Sequence, residues 1–281
     1  MFPKRQTEGS VICTSCGVLV GVNDATCYNC NRRNPGLWGY APWFRRLGQD
    51  LGFVPLVMGG TITLYVISLL LSGANLQTML APSTQVLFLV GSSGAVPVFG
   101  YGRWWTVLTA GWLHAGVLHI LFNVMWIRQL GPAVADLYGP GRMVILYTLA
   151  GVVGFTFTSV AGRYIGGLPL IGGAGFSVGA SAPIFGLLGA LVYYGRRTGS
   201  RHIGQAGLQY ALFMGLFGLI MPGIDNQAHL GGFVGGYLGG LLLDPLKPER
   251  IDHLVAAALC LAVTLAAIIW SVVTALPLLT R

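Results

Sequence analysis

Gln227-Ala228-His229-Leu230-Gly231-Gly232-Phe233-Val234-Gly235-Gly236 sets an ionisable side chain at the head of an apolar, glycine-rich run. Glycines stand at 231, 232, 235, 236, 239 and 240, a doubled small-xxx-small ladder. In lipid such ladders let helix backbones approach and pack closely. A histidine inside hydrocarbon is costly, so it marks a functional site by default. Ser181 is a second such residue, in Gly179-Ala180-Ser181-Ala182-Pro183-Ile184-Phe185-Gly186. Together the two suggest a nucleophile and its general base.

Composition supports the membrane setting. Of 281 residues, 54% are hydrophobic and 9% charged, against about 25% charged in soluble domains. Apolar windows near the roughly 20 residues of a spanning helix recur along the chain. The predicted fold is an all-α polytopic membrane protein with spans near 53–73, 107–130, 142–162, 180–197, 205–222, 226–243 and 254–278. Residues 74–106 are a long connection of the kind that is functional or partly embedded. The first ten residues hold no apolar run, so no cleavable signal peptide is expected.

The net charge of +8 does not point to nucleic acid, because the basic residues cluster in the head and between spans. With the N-terminus in the cytoplasm, that side receives Lys4, Arg5, Arg32, Arg33, Arg45, Arg46, Arg128, Arg142, Arg196, Arg197, Arg201, Lys247 and Arg250. The far side receives Arg103, Arg163 and Arg281. This asymmetry predicts N-in, C-out by the positive-inside rule. Ser181 and His229 then lie at similar depth near the non-cytoplasmic face. Trp38, Tyr40, Trp43 and Phe44 beside Arg45 and Arg46 fit an interfacial segment; a plain linker fits them equally.

Cys13-Thr14-Ser15-Cys16 and Cys27-Tyr28-Asn29-Cys30 are two CxxC pairs ten residues apart. Two such knuckles complete a tetrahedral, structural zinc site with four thiolate ligands and no open position. Gly17 suits the turn after the first pair and Asn31 the turn after the second. Two disulfides are the competing arrangement, disfavoured in a reducing compartment. A cytoplasmic partner is one use for such a head. Cys260 reads as apolar packing in the last span.

Two serines compete. Gly175-Phe176-Ser177-Val178-Gly179 matches G-x-S-x-G, but that pattern carries meaning only on a strand–turn–helix corner. Ser181 stands at a helix N-terminus, where Pro183 is tolerated and free N–H groups can stabilise an oxyanion. Taken alone, Ser181 reads more readily as a helix cap. His119 and Asn123 are four apart and share a helix face, as oxyanion donors or as interhelical polar contacts. His114, about 140° from His119 on a continuous helix, is expected to point elsewhere and to fix a loop or cap the span. Gly186, Gly189 and Ala190 offer the surface on which the His229 helix could press. Asp225 sits one turn before His229 at the boundary, so a dyad is expected rather than a triad. His202 and His253 fall in connections as solvated residues.

These residues resemble the rhomboid family of intramembrane serine proteases over roughly residues 53–245. The likeness rests on H-x4-H-x3-N at His114, His119 and Asn123, on the serine motif at Ser181, and on A-H-x-x-G at Ala228, His229 and Gly232. It implies that Ser181 attacks a peptide bond with His229 as base. His119, Asn123 and the Ser181 N–H would form the oxyanion hole. Substrates would be transmembrane proteins cut near the non-cytoplasmic face, with no catalytic cofactor. The implied organisation is a zinc-ribbon-like head at 1–36, an interfacial linker at 37–52, a six-helix rhomboid-like core at 53–245, and a loop with a seventh helix at 246–281. The implied location is a bacterial-type inner membrane. The family's glycine after the serine is Ala182 here, and its Trp-Arg loop pair is Trp105-Thr106, with Arg103 nearby. A catalytically impaired, membrane-protein-binding relative is the alternative that Ala182 keeps open. A transporter with midplane polar residues fits less well, because intramembrane carboxylates are absent.

Overall fold

The computed structural model describes residues 5–42, 50–73, 81–166, 168 and 171–279. Trp43, Phe44, Arg45 and Arg46 of the expected interfacial segment lie outside the described residues, as do Lys4 and Arg281 of the charge comparison.

The head is a small hairpin carrying two matched turns. Strands β1 (Ser10–Ile12) and β2 (Leu19–Gly21) pair antiparallel, with Val11 opposite Val20. In the first turn the Gly17 N–H donates to Cys13 O, and the Cys13 N–H donates to Val18 O. The second repeats this with Asn31 to Cys27 and Cys27 to Arg32. Gly17 and Asn31 both have φ in the left-handed region, at 76° and 55°. Glycine and asparagine are the residues that tolerate this conformation.

The rest is helical. Helix α1 (Phe53–Leu71) begins with Asp50 accepting the Val54 N–H at 2.6 Å. Two short helices, α2 (Thr84–Val90) and α3 (Thr106–Thr109), lie in the first long connection. Then follow α4 (Val117–Tyr138), α5 (Pro140–Ile165), α6 (Ser181–Thr198), α7 (Arg201–Ile220), α8 (Asn226–Leu242) and α9 (Ile251–Leu279).

Among the described residues, five helices are long and apolar enough to cross a membrane: α1, α4, α5, α7 and α9. The other two predicted spans, α6 and α8, occupy the middle of the bundle, packed on each other and on α5. Most of α6 is buried, so its surface meets protein and has no need to be uniformly apolar. On α8, Leu230, Val234, Leu238 and Leu241 form an exposed aliphatic stripe opposite the glycines. That is the arrangement of a helix with protein on one face and lipid on the other.

The second span corrects its predicted start at 107. Residues 106–112 form separate short turns, Leu113 is extended, and α4 begins only at Val117. Apart from His114 the stretch across this break stays apolar, so hydropathy averaged over a span does not register it.

The doubled glycine ladder serves two neighbours at once. Gly232 and Gly236 face α6, where a Cβ would fall within the van der Waals envelope of the Ala182 and Gly186 carbonyl oxygens. Gly231, Gly235 and Gly239 face α5, where a Cβ would stand 2.7 Å from the Phe157 Cβ, 2.8 Å from the Val153 Cβ and 2.8 Å from Leu146 Cδ2. Gly189 answers from α6, pressed on the Phe233 carbonyl. Ala190 turns its carbonyl to the Tyr138 hydroxyl of α4, at 2.8 Å.

At the opposite end of the bundle from Ser181, Arg142 donates to the carbonyls of Asp244 (2.7 Å) and Lys247 (2.6 Å). The Glu249 carboxylate accepts the Arg142 N–H at 3.0 Å, at the start of α5. Burial pushes the Glu249 carboxyl up from its ordinary range, and the Arg142 N–H and nearby guanidinium oppose that shift. The head reaches this loop through Ser15, whose hydroxyl donates to Glu249 O at 3.4 Å.

Candidate active site

Close backbone approach brings two polar residues from distant sequence together. Ser181 is the first residue of α6, and His229 lies in the first turn of α8 at the same end of the bundle. Their side chains meet directly, with Ser181 Oγ 2.8 Å from His229 Nε2. His229 is buried, and its ring stacks on Phe185 one turn beyond the serine, with centroids 4.2 Å apart and planes 12° from parallel. Among the described residues Nδ1 has no hydrogen-bond partner. The imidazole is therefore oriented by an aromatic face rather than by a carboxylate.

Asp225 explains why. It is the N-cap of α8, and its Oδ1 accepts the Ala228 N–H at 3.0 Å and the Thr158 hydroxyl at 2.9 Å. Its Oδ2 accepts the Ser177 hydroxyl at 2.6 Å. The carboxylate thus joins α5, α8 and the loop before α6, and is engaged away from His229. Ser177 is held by this contact and by backbone pairing with Ser93, at 3.0 and 2.7 Å. Its G-x-S-x-G surroundings form a bridged loop with no strand–turn–helix corner.

His119 lies in the first turn of α4. Gly179, with φ 130°, passes so close to its ring that a Cβ there would stand 2.5 Å from His119 Nε2 and 3.6 Å from Ser181 Oγ. Only glycine allows this chain path, for conformation and for space. Asn123 is buried one turn further on, with its amide donating to His119 O at 2.8 Å. His114 does not point elsewhere. It lies outside the helix, on the stretch before α4, with its ring edge-on to His119 at 5.1 Å. Nor does it cap α4, whose N-cap is Gly116 with no side-chain bond. The 140° spacing held only for a continuous helix. His202 and His253 fall in the first turns of α7 and α9 rather than in connections; His202 is exposed, while His253 is half-buried and its Nδ1 accepts the Arg250 N–H at 3.1 Å.

Ala182 has a definite place. Its methyl is buried in a cluster with Ala110, Phe155 and Ala228. It is directed at Gly154 of α5, where a Cβ would lie 3.0 Å from it. The extra carbon on α6 is matched by a missing one on α5.

The four cysteines come together in the head. Their sulfurs lie within 4.8 Å of one another, with Cys13–Cys30 at 3.8 Å and Cys16–Cys27 at 3.6 Å, and all are free thiols. Disulfide sulfurs stand about 2.05 Å apart. Zinc–sulfur bonds of about 2.3 Å place tetrahedral thiolates roughly 3.8 Å apart. The donor set and spacing fit a metal. Cys260 is a free, half-buried thiol on α9.

Two contributors carry no motif signal, the Asp225–Ser177–Thr158 contact and Gly154; Gly179 stands in the serine motif, but its approach to His119 is not readable there. A capping residue ahead of an apolar run was readable at Asp225; its partners from α5 and the serine loop were not.

Fold and site together define a helical integral membrane protein with a serine–histidine pair enclosed at one end of its bundle. The rhomboid domain family model matches residues 101–245. Rhomboid protease GluP of Bacillus subtilis (strain 168) is 34% identical over 57% of this chain and 30% of its own length. Putative rhomboid protease YdcA of the same organism is 31% identical over 53% of this chain and 72% of its own. Inactive RHOMBOID-like protein 8 of Arabidopsis thaliana is 28% identical over 56% of this chain and 43% of its own. The chain belongs to the rhomboid family. It spans about a third of the length of GluP and less than half of the inactive relative.

Proposed function

We propose that this chain is an intramembrane serine endopeptidase that cleaves transmembrane proteins near the non-cytoplasmic membrane face. The observation that carries this reading is the 2.8 Å contact between Ser181 Oγ and His229 Nε2, with the imidazole buried and the serine half-buried. Nε2 accepts the serine proton as Oγ attacks the scissile carbonyl, then delivers it to the leaving amine. For that, the neutral imidazole carries its own proton on Nδ1. Phe185 stacking keeps the ring in line through both transfers.

Negative charge then develops on the substrate carbonyl oxygen. The Ser181 N–H at the start of α6, with the aligned dipoles of that helix, faces such a charge. His119, whose ring lies against Gly179, supplies a side-chain donor, and Asn123 joins by turning its amide from the His119 carbonyl. Both GluP and YdcA are named as proteases, which favours an active enzyme. The packing of the Ala182 methyl toward Gly154 supports the active reading over the impaired one. The charge asymmetry supports an N-in, C-out orientation, and the resemblance implies a bacterial-type inner membrane.

Cys13, Cys16, Cys27 and Cys30 are assigned to a structural zinc ion, which fixes the head and takes no part in catalysis. In the proposed orientation the head lies on the cytoplasmic side, where a cytoplasmic partner is one use for it. The units are the head at 1–36, linker at 37–52, core at 53–245 and final loop and helix at 246–281.

The test is cleavage of a tagged single-span reporter by wild type and by Ser181→Ala, His229→Ala and Ser177→Ala. Loss of at least roughly a thousandfold is expected for the first two, with Ser177→Ala still active. Cleavage that survives Ser181→Ala rejects the assignment. Fluorophosphonate labelling of Ser181 separates protease from impaired relative.

A further inference from the structure

We infer that helix α9, outside the matched family region, positions the serine loop through Ser271. The sequence marks Ser271 only as a small polar residue in an apolar helix. In the fold it is fully buried, and three parts of the first long connection converge on it. Arg103, also buried, donates to the Ser271 carbonyl at 2.8 Å and to the Phe88 carbonyl, with its guanidinium 4.3 Å above the Phe88 ring. The Trp105 indole N–H donates to Ser271 Oγ at 2.9 Å, and its ring meets Trp270 edge-on at 6.2 Å. Gly91, φ 119°, lies so near that a Cβ there would stand 2.7 Å from Ser271 Oγ. Thr109 ties the same turn by donating to Gly91 O.

A buried guanidinium needs acceptors for its N–H groups. Two carbonyls, one from the connection and one from α9, meet part of that need, so Arg103 fixes the connection to the helix. Its displacement from the family's Trp-Arg position leaves it able to hold the loop.

The connection is joined in turn to the segment leading into Ser181. Beyond the Ser93–Ser177 pairing, the Ala95 N–H donates to Ala174 O at 2.9 Å and the Val96 N–H to Gly175 O at 3.0 Å. Thr106 links Arg103 O (2.7 Å) to Ser93 Oγ (3.4 Å). Ser271 therefore supports residues 88–105, which support residues 174–177, four residues before the nucleophile. Hydrogen bonds hold every link, and those of Arg103, Thr106 and the Ser93–Ser177 pair are buried, so the serine loop inherits its place from α9. Ser271 is a positioning residue. Its role in turnover rests on the protease reading above.

The experiment uses the full chain in detergent, with Ser271→Ala, Trp105→Phe, their double variant, Ser271→Leu and Ser271→Thr. Amide hydrogen exchange is followed at 88–106 and 174–179, alongside kcat and KM for the reporter. Ser271→Ala is expected to speed exchange in both segments and lower kcat about tenfold, with KM within about twofold. The double variant should match the worse single one, because the two side chains share one bond. Ser271→Thr, which keeps the hydroxyl, should restore kcat. Ser271→Leu, which adds bulk against Gly91, should exceed Ser271→Ala. Unchanged exchange at 174–179 in both Ser271→Ala and Ser271→Leu overturns the inference, even where 88–106 loosens. A wild type that neither cleaves nor labels defeats the protease reading instead, and exchange at 174–179 alone then decides the role of Ser271.

Discussion

The α6–α8 seam and the four-cysteine head both hold reactive side chains in fixed geometry, by opposite means. In the seam, backbones touch. Gly232 and Gly236 lie against the Ala182 and Gly186 carbonyls, and α5 closes the other side. Serine and histidine then meet because their helices have nowhere else to go. The head has only a small buried cluster around Val11, Val20 and Val22. Chains below about 40 residues rarely bury enough apolar surface to fold alone. Two matched left-handed turns aim the thiols, and coordination supplies what a core cannot. Shape complementarity sets a site where there is bulk to pack; ligation sets it where there is not.

The strongest challenge to that contrast is Gly236→Leu. Its side chain has no space beside Gly186, and overpacking of this kind costs about 1–3 kcal/mol or more. Fluorophosphonate labelling of Ser181 should fall by more than about tenfold. Labelling within twofold of wild type would mean that the seam does not set the serine–histidine distance. Removing the metal tests the other region. A strong chelator, or Cys13→Ser, should release one zinc per chain and abolish amide protection in the head. Ser181 labelling should change by less than about threefold, since distant sites act independently. A head that stays folded without zinc removes the contrast, and a large loss of labelling would merge the two regions.

Smaller effects sharpen the seam itself. Ser177→Ala deprives Asp225 of one donor and should cost about 1–3 kcal/mol of stability in thermal melts. Cleavage should persist within about tenfold of wild type, which separates a strut from a nucleophile. Ala182→Gly should be the mildest. It opens a gap against Gly154 worth about 1 kcal/mol and should lower the melting temperature slightly. A marked rise in activity would mean that the methyl obstructs the oxyanion region and does not merely fill the α5 seam.

Much of the site was legible as residue types. Ser181, His229, His119 and Asn123 each stood out as polar in an apolar context, and the cysteine spacing announced its own geometry. The turn roles of Gly17 and Asn31 followed from their place after each pair. His114 departs from its expected direction because the helix has not yet begun at that residue. Arg103, away from the family's loop position, reaches two carbonyls that its place in the sequence does not announce. Both cases concern where the backbone turns, and hydropathy records composition rather than turns.

By itself the sequence determined the membrane setting, the helical class, the glycine periodicity and the identity of the polar residues. These follow from the cost of polar groups in hydrocarbon and from the period of the helix, both of which act locally. Tertiary structure alone decided that one ladder faces α6 and the other α5, that Asp225 is engaged by Ser177 and Thr158 rather than by His229, that the Ala182 methyl meets Gly154, and that Ser271 holds Arg103 and Trp105. Each depends on which atoms from distant segments occupy the same few ångströms. Close packing settles that only when all the helices are in place.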